Sequence, residues 1–308
     1  MAFGATINSE KMIAPERLKK GDWVYLTSPA KAIAEKDVLA AKEWLMTQGF
    51  QVEVAKNCLG QNHYFSGTDQ ERTTDFQEGL DNPKYKAILC ARGGYGCARI
   101  VEQLDWARFS QHPKWVIGFS DVTVFHHKIL SLGIRSIHAT MAFGIQKNTP
   151  FSLTSLSSLL FKGELTLVST PHPLNRLGSA RGRLIGGNLT IVYSLLATPL
   201  TLDFRDNILF IEEVGEHVYK IDRMLQTLEM HGVFDQISGL VVGGITELED
   251  TTPPFGKDIQ TLICERVKHR DIPVCFGFPA GHGEENHAMC LGSNVVFETH
   301  SSGASLLM

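Results

Sequence analysis

Ser120 lies in the stretch of the sequence that is best placed for nucleophilic chemistry. The apolar residues 115–117, bounded by Pro113 and Gly118, predict a short buried strand. From Asp121 onward the apolar residues recur at helical spacing, and Asp121 could cap the first turn of that helix. Ser120 would then stand at a strand-to-helix corner, beside unpaired backbone N–H groups and the positive end of a helix dipole.

Two interpretations of this corner remain open from the residues alone. It is similar to the nucleophile elbow of hydrolases, but it lacks the second glycine of the G-x-S-x-G pattern. A Ser-Asp pair before a helix is also a common cap, without any catalytic role.

Acidic and imidazole side chains later in the chain could complete a catalytic group. Glu212 follows an apolar strand and could orient a histidine, whereas Glu213 and Glu216 are better explained as acids at a helix start. His282 stands between two glycines after a strand, so its ring could reach a partner, and His138 is a weaker candidate. The order Ser120, Glu212, His282 is that of the α/β-hydrolases, although a triad is recognised by its geometry.

A glycine-rich segment, Arg92-Gly93-Gly94-Tyr95-Gly96, precedes a short helix and is called the glycine turn below. It could hold a phosphate, but it fits neither G-x-G-x-x-G nor the P-loop pattern. It could supply backbone donors for an oxyanion near Ser120, since glycines allow a close backbone approach. It could also be a tight turn and nothing more.

The elements that must position these residues alternate along the first half of the chain. Helix Thr68 to Leu80 opens with a capping box, because Thr68 is followed three residues later by Glu71. Alternating strands and helices predict an α/β fold whose N-terminal domain is Rossmann-like, with a parallel sheet covered on both faces. Ligands of such sheets bind outside the carboxyl ends of the strands. The predicted strands span residues 23–26, 51–55, 86–90 and 115–117, and the first predicted helix spans residues 35–48.

Between about Asn148 and Ser179 the periodicity weakens and prolines interrupt the chain, which predicts a junction between domains. We therefore expect an N-terminal domain at residues 1–160, a linker at 161–180 and a C-terminal α/β domain with a mixed sheet at 181–308. Residues 288–297 are predicted to end that second sheet.

Composition excludes several classes of function. The chain has 308 residues and a net charge of −4 without a long run of one sign, which argues against a nucleic-acid partner. Its apolar runs are too short to span a bilayer, and the first ten residues do not have the pattern of a secretory signal. We expect residues 1–20 to be a loose lead-in to the fold.

The cysteines and histidines predict the compartment and the absence of a metal. Six scattered cysteines without a C-x-x-C motif predict free thiols in a reducing compartment, so a cytoplasmic protein is expected. No H-x-x-x-H or H-E-x-x-H motif is present, and no metal is predicted.

Five motifs in order resemble the LD-carboxypeptidases, which are serine peptidases of bacterial murein recycling, with the microcin-immunity peptidases as relatives. The similarity runs from about Asp22 to the C-terminus. The motifs are the glycine turn, residues 118–121 (GFSD), residues 186–189 (GGNL), residues 210–213 (FIEE) with Glu216 and residues 221–225 (IDRML), and the pair Gly281-His282.

The resemblance implies a mechanism and a site. Ser120 would be the nucleophile, Glu212 and His282 would complete the triad, and the backbone N–H groups of Gly94 and Asp121 would form the oxyanion hole. It implies that the nucleophile lies on the N-terminal domain and the other two triad members on the C-terminal one. No metal or organic cofactor would be needed, and a homodimer is expected.

The implied substrate is a murein tetrapeptide, cleaved at the amide between an L-centre and the C-terminal D-alanine. Arg92, Gly93 and Tyr95 are the candidate substrate-binding residues, although Arg92 could equally form a structural salt bridge. One departure is visible, because Val218 stands where the family usually has a proline two residues after Glu216. This difference concerns the shape of a loop and thus the choice of substrate.

Two rival functions remain. One is a microcin-immunity-like peptidase that cleaves peptidyl-nucleotides, for which the sequence does not show a clear aromatic platform. The other is a non-catalytic, two-domain binding module for a small ligand.

Overall fold

The computed structural model describes residues 12–308, and these fall into two compact units. The first unit runs to Gly163 and also includes Asn286–Gly292, while the second contains Glu164–Glu285 and Ser293–Met308. The predictions for the first ten residues, and most of the predicted lead-in, lie outside the described residues.

The strands of the described chain are numbered in chain order. They are β1 (Trp23–Thr27), β2 (Gln51–Val54), β3 (Tyr85–Cys90), β4 (Trp115–Gly118), β5 (Ser136–His138), β6 (Thr166–Ser169), β7 (Gly178–Asn188), β8 (Ile208–Val214), β9 (Gly239–Thr246), β10 (Val274–Cys275), β11 (Met289–Leu291), β12 (Asn294–His300) and β13 (Gly303–Leu307).

The helices are numbered in the same way. They are α1 (Glu35–Thr47), α2 (Asp69–Asp81), α3 (Cys97–Ile100), α4 (Ala107–Gln111), α5 (Thr123–Ser131), α6 (Pro150–Lys162), α7 (Leu189–Leu195), α8 (Val218–Met230), α9 (Val233–Gln236) and α10 (Ile259–Val267). Within residues 12–308, none of these helices combines the length and the apolar character that a membrane crossing requires.

The first unit is built on a six-stranded sheet with the order β11-β5-β4-β3-β1-β2. All neighbours pair in parallel except β11, which is antiparallel to β5. The central strands β3 and β4 are buried almost throughout, as expected for a sheet with helices on both faces. The predicted Rossmann-like parallel sheet is thereby confirmed.

The second unit is built on a seven-stranded sheet with the order β10-β9-β8-β7-β12-β13-β6. Strands β10, β9, β8 and β7 pair in parallel, and the remaining neighbours pair antiparallel. The predicted mixed sheet is confirmed. Parallel β8 carries Glu212 at a buried position near its carboxyl end.

The predicted capping box of α2 is confirmed, but the predicted cap of α5 is wrong. Thr68 Oγ1 accepts the N–H of Glu71 at 3.2 Å, and Glu71 Oε2 accepts the N–H of Thr68 at 2.8 Å. Helix α5 follows a short 3-10 turn and begins without a side-chain cap. The Asp121 carboxylate instead accepts the N–H of Cys97 at 2.8 Å.

Helix α6 lies where the sequence pattern was weakest. Thr149 caps it and Pro150 occupies its first turn. Two of its serines face inward, because Ser152 Oγ accepts the N–H of Asn286 at 2.9 Å and Ser155 Oγ accepts the N–H of Ala288 at 2.8 Å. Polar residues on the buried face break the apolar repeat from which an amphipathic helix is predicted.

The stretch predicted as one terminal strand is two strands in different sheets. Strand β11 pairs with β5 in the first unit, whereas β12 pairs with β7 in the second. Gly292, with a φ of +85°, lies between them. The last strand, β13, was not predicted, and the expectation that residues 288–297 end the sheet is therefore wrong.

Candidate active site

Ser120 occupies a strained corner at the end of β4. Its φ of +62° lies in the left-handed region, which is unfavourable for any residue with a Cβ. The strand β4, the 3-10 turn at Ser120–Val122 and α5 reproduce the predicted strand–turn–helix order. A strained residue of this kind persists only when its surroundings determine its conformation, and such residues are concentrated at functional sites.

The glycine turn packs directly against Ser120. A Cβ at Gly93 would lie 2.9 Å from Ser120 Cβ, 3.1 Å from its Oγ and 3.3 Å from the backbone nitrogen of Asp121. Gly94 has a φ of +104°, and a Cβ there would lie 2.7 Å from the Tyr64 hydroxyl. A side chain at either position would be too close to its neighbours, so both glycines are required. The glycine turn and the Ser120 corner are thus in contact within the first unit.

We expect Gly93→Ala to slow the reaction of Ser120 with a fluorophosphonate probe by at least tenfold, because the new methyl group would displace the Ser120 side chain or the neighbouring N–H of Asp121. The labelling rate, followed by intact-protein mass spectrometry, checks this. Gly21→Ala is the control. Gly21 has a φ of +92°, so this substitution introduces backbone strain, but no neighbouring atom lies within 4 Å of the position that a Cβ would take. Equal labelling rates in both variants would contradict the packing argument.

Buried His126 links the end of β4 to β5 through two hydrogen bonds. His126 is fully buried, with Nε2 2.8 Å from the Gly118 carbonyl and Nδ1 2.8 Å from Ser136 Oγ. Because a carbonyl can only accept, Nε2 carries the proton and Nδ1 accepts from the serine. Burial lowers the pKa of His126 to about 4, against the opposing effect of the Gly118 carbonyl. Nothing local in the sequence indicates the contact of His126 with Gly118.

The second unit contains the predicted acid and base in contact. Glu212 Oε2 lies 2.6 Å from His282 Nδ1, with the glutamate fully buried and the His282 side chain 19% exposed. A Cβ at Gly281 would lie 2.8 Å from Glu212 Cβ, so the preceding glycine permits this approach. Since the carboxylate accepts from Nδ1–H, Nε2 is the nitrogen that can act as a base.

Burial and the carboxylate act on His282 in opposite directions. Burial is the largest single effect and disfavours the imidazolium. The charge and hydrogen bond of Glu212, together with the charges of Glu213 and Glu247, raise the pKa of His282 above the ordinary value. A histidine with a raised pKa and an oriented ring is suited to accept a proton during a reaction.

Glu213 acts at the start of α7 and not at the start of the helix that follows it in the chain. It lies inside β8, and its Oε2 accepts the N–H of Thr190 at 2.8 Å while its Oε1 accepts from Asn188 Nδ2 at 2.9 Å. Burial raises the pKa of Glu213, although these hydrogen bonds oppose the shift. It therefore holds the start of α7. Glu216 precedes α8 and pairs at 3.1 Å with Lys220 in the first turn of that helix.

The other candidates are distributed around the serine corner. Arg92 Nη1 donates to the Ala32 carbonyl at 3.3 Å, and its guanidinium lies 4.3 Å from the ring of Phe143, so these contacts involve no carboxylate. Tyr95 is 49% exposed. His138 is buried in β5, with its ring 5.5 Å from that of Phe119. Among residues 12–308, no group of three or more histidine, cysteine, aspartate or glutamate side chains is arranged to hold a metal ion.

Comparison with known proteins identifies the family of this chain. A model of the LD-carboxypeptidase N-terminal domain matches residues 24–139, and a model of the C-terminal domain matches residues 181–297. A Bacillus subtilis protein named probable murein peptide carboxypeptidase is 32% identical over 291 residues, covering 92% of this chain and 91% of that protein.

Two further similarities span most of the chain. The murein tetrapeptide carboxypeptidase of Pseudomonas aeruginosa is 30% identical over 291 residues, with 89% of this chain and 92% of that protein covered. The crystal structure of muramoyltetrapeptide carboxypeptidase from Oxalobacter formigenes superimposes with a TM-score of 0.84 at 26% identity, covering 92% of this chain and 98% of that one. This chain therefore belongs to the LD-carboxypeptidase family of peptidases.

Proposed function

We propose that the chain is a serine carboxypeptidase that hydrolyses the amide between an L-centre and the C-terminal D-alanine of murein tetrapeptides. The observation that carries the proposal is the 2.6 Å contact between Glu212 and His282 in a member of the LD-carboxypeptidase family. The left-handed corner at Ser120, with Gly93 against it, supports the choice of nucleophile.

In the proposed mechanism, His282 Nε2 takes the proton of Ser120 as Oγ attacks the carbonyl carbon of the scissile amide. Glu212 keeps the proton on Nδ1 and stabilises the imidazolium that forms. The backbone N–H groups of Gly94 and Asp121 donate to the oxyanion of the tetrahedral intermediate. His282 then protonates the departing amine of D-alanine, and a water molecule hydrolyses the acyl-enzyme through the same base.

The terminal carboxylate of the substrate requires a cationic or N–H partner, and we assign Arg92 to it, with Gly93 and Tyr95 beside it. In support of this assignment, Arg92 is held by the Ala32 carbonyl and the ring of Phe143 rather than by a carboxylate. Its guanidinium thus retains donors for an anionic group.

Location, assembly and domain limits also belong to the proposal. We place the reaction in the cytoplasm, because the six cysteines are free thiols and five of them are buried. We propose a homodimer by analogy with the family. The domain limits at residues 160 and 181 likewise remain proposals, with strand β6 lying inside the proposed linker.

The direct test is the release of D-alanine from a purified murein tetrapeptide, followed by mass spectrometry, with Ser120→Ala in parallel. We expect release by the wild-type protein and none above background by the variant. A folded wild-type protein that leaves the tetrapeptide intact would overturn the substrate assignment. Cleavage of a peptidyl-nucleotide would then support the microcin-immunity-like function, and no cleavage of either compound would support a binding module.

A further inference from the structure

A single peptide group in the glycine turn is held at both ends by buried, oppositely charged side chains. The N–H of Cys97 donates to Asp121 Oδ2 at 2.8 Å. The carbonyl of Gly96, on the other side of the same peptide bond, accepts from Arg72 Nη1 at 3.0 Å. Arg72 is 1% exposed and Asp121 is 2% exposed.

The polarity of this arrangement matches the peptide dipole. The positive N–H end faces the carboxylate of Asp121, and the negative carbonyl end faces the guanidinium of Arg72. Removing either charge from water is costly, and burial alone raises the pKa of Asp121, while the hydrogen bond from Cys97 and the charge of Arg72 oppose that shift. Arg72 also pairs directly with a carboxylate, because its Nη2 donates to Asp69 Oδ1. The Gly96–Cys97 peptide thus lies between the guanidinium of this ion pair and the buried carboxylate of Asp121.

The geometry of the turn leaves no room for a side chain at this peptide. Gly96 has a φ of +150°, and a Cβ there would lie 2.7 Å from Arg72 Nη1 and 2.9 Å from Ala30 Cα. Arg72 is itself anchored, because Nη1 also donates to the Pro29 carbonyl at 2.6 Å. The Gly96–Cys97 peptide at the end of the glycine turn is therefore held by Arg72 on one side and Asp121 on the other.

We propose that Arg72 and Asp121 form a clamp on the Gly96–Cys97 peptide that sets the distance between the two donors of the oxyanion hole. Asp121 follows Ser120 directly and supplies one donor from its backbone, while Gly94, the other donor, lies two residues before the clamped peptide. Both side chains are positioning residues for the hydrolysis, and this inference rests on the proposed function.

The test compares Asp121→Ala with Asp75→Ala, a matched control from the same unit. Asp75 is also buried, at 4% exposed, and its carboxylate accepts the N–H of Asn57 at 2.8 Å, away from the glycine turn. We expect Asp121→Ala to lower kcat for D-alanine release about 100-fold, the usual effect of losing one oxyanion donor, with KM changed less than threefold. Asp75→Ala should lower thermal stability but keep kcat within threefold of the wild-type value.

Asp121→Asn and Arg72→Lys keep the test decisive if the alanine variant does not fold. Asp121→Asn keeps an acceptor oxygen but removes the charge, whereas Arg72→Lys keeps the charge but removes the planar guanidinium. Each variant is expected to reduce kcat about tenfold. Wild-type kcat in these two variants, or an equal loss in Asp75→Ala, would overturn the clamp.

A second measurement separates this inference from the proposed function. Hydrogen–deuterium exchange of the peptide that contains residues 93–97 should become at least tenfold faster in Asp121→Asn than in the wild-type protein. This readout requires no substrate. Unchanged exchange would overturn the clamp even in an active enzyme, whereas faster exchange in a protein that does not release D-alanine would overturn only the proposed function.

Discussion

Replacing Ser120 with alanine is expected to lower kcat for D-alanine release by about 10⁴-fold or more, because the variant has no hydroxyl to attack the scissile carbonyl. Removing one member of a serine triad typically abolishes most of the rate that the whole triad provides. The effect should appear in kcat rather than in KM, since the Ser120 hydroxyl forms its new bond during the reaction and contributes little to binding of the ground state.

The measurement is steady-state release of D-alanine, together with the thermal unfolding midpoint. Ser120→Ala keeps a Cβ at a φ of +62°, so its midpoint should stay close to that of the wild-type protein. Ser120→Gly should be equally inactive but more stable by about 1 kcal/mol, because glycine adopts this conformation without steric cost.

Ser131→Ala is the matched control. Ser131 is an exposed serine at the end of α5 whose hydroxyl donates to the Lys128 carbonyl at 2.7 Å. This variant should retain full activity. Turnover by Ser120→Ala within tenfold of the wild-type rate would exclude Ser120 as the nucleophile.

The sequence predicted the structure correctly where neighbouring residues determine it. Thr68 and Glu71 are three residues apart and form the capping box that their spacing predicts. The strand, turn and helix around Ser120 follow from an apolar run, a glycine and a change of period. Glu212 and His282 are 70 residues apart in the chain, yet their side chains are in contact. In the sequence each stands at the end of an apolar run, and the carboxyl ends of strands are where the ligands of such sheets bind.

The rest of the site depends on contacts that no local pattern records. Asp121 has the right type and place for a helix cap, but its carboxylate finds the N–H of Cys97, 24 residues earlier in the chain. Arg72 is surrounded by polar helix residues and would be assigned to the surface. It is buried, and its guanidinium donates hydrogen bonds to two distant carbonyls and pairs with Asp69. Helix α6 was also missed because of distant contacts, since the buried hydroxyls of Ser152 and Ser155 accept backbone N–H groups 134 and 133 residues away.

Replacing Glu212 with glutamine is expected to lower kcat/KM at neutral pH by about 10³- to 10⁴-fold. In the proposed mechanism the carboxylate, 2.6 Å from Nδ1 of His282, keeps the proton on that nitrogen and stabilises the imidazolium that forms as Ser120 attacks. An amide can donate as well as accept, so the variant allows the wrong tautomer of the ring and gives up the charge that balances the imidazolium.

The pH dependence of activity should show the direction in which Glu212 shifts the pKa of His282. In the proposed mechanism His282 acts as a base when it is neutral. Because its pKa is raised, the activity of the wild-type protein should rise with pH, with a midpoint above the ordinary histidine pKa of about 6.5. In Glu212→Gln the burial that lowers the pKa remains and the charge that raises it is lost. The midpoint must therefore move to lower pH, and the ratio of wild-type to variant activity should shrink as the pH falls.

The difference in stability between the wild-type protein and Glu212→Gln should grow as the pH falls, opposite to the difference in activity. A raised folded-state pKa of His282 means that the protonated pair stabilises the fold, fully below the unfolded-state value of about 6.5 and progressively less as the pH rises through the folded-state value. Denaturant unfolding at a series of pH values should show the wild-type advantage over Glu212→Gln growing toward lower pH. The control is Glu249→Gln, which removes an exposed pair with His217 at 3.2 Å and should change neither profile. Activity and stability differences that moved in the same direction would mean that Glu212 does not act through the charge of His282.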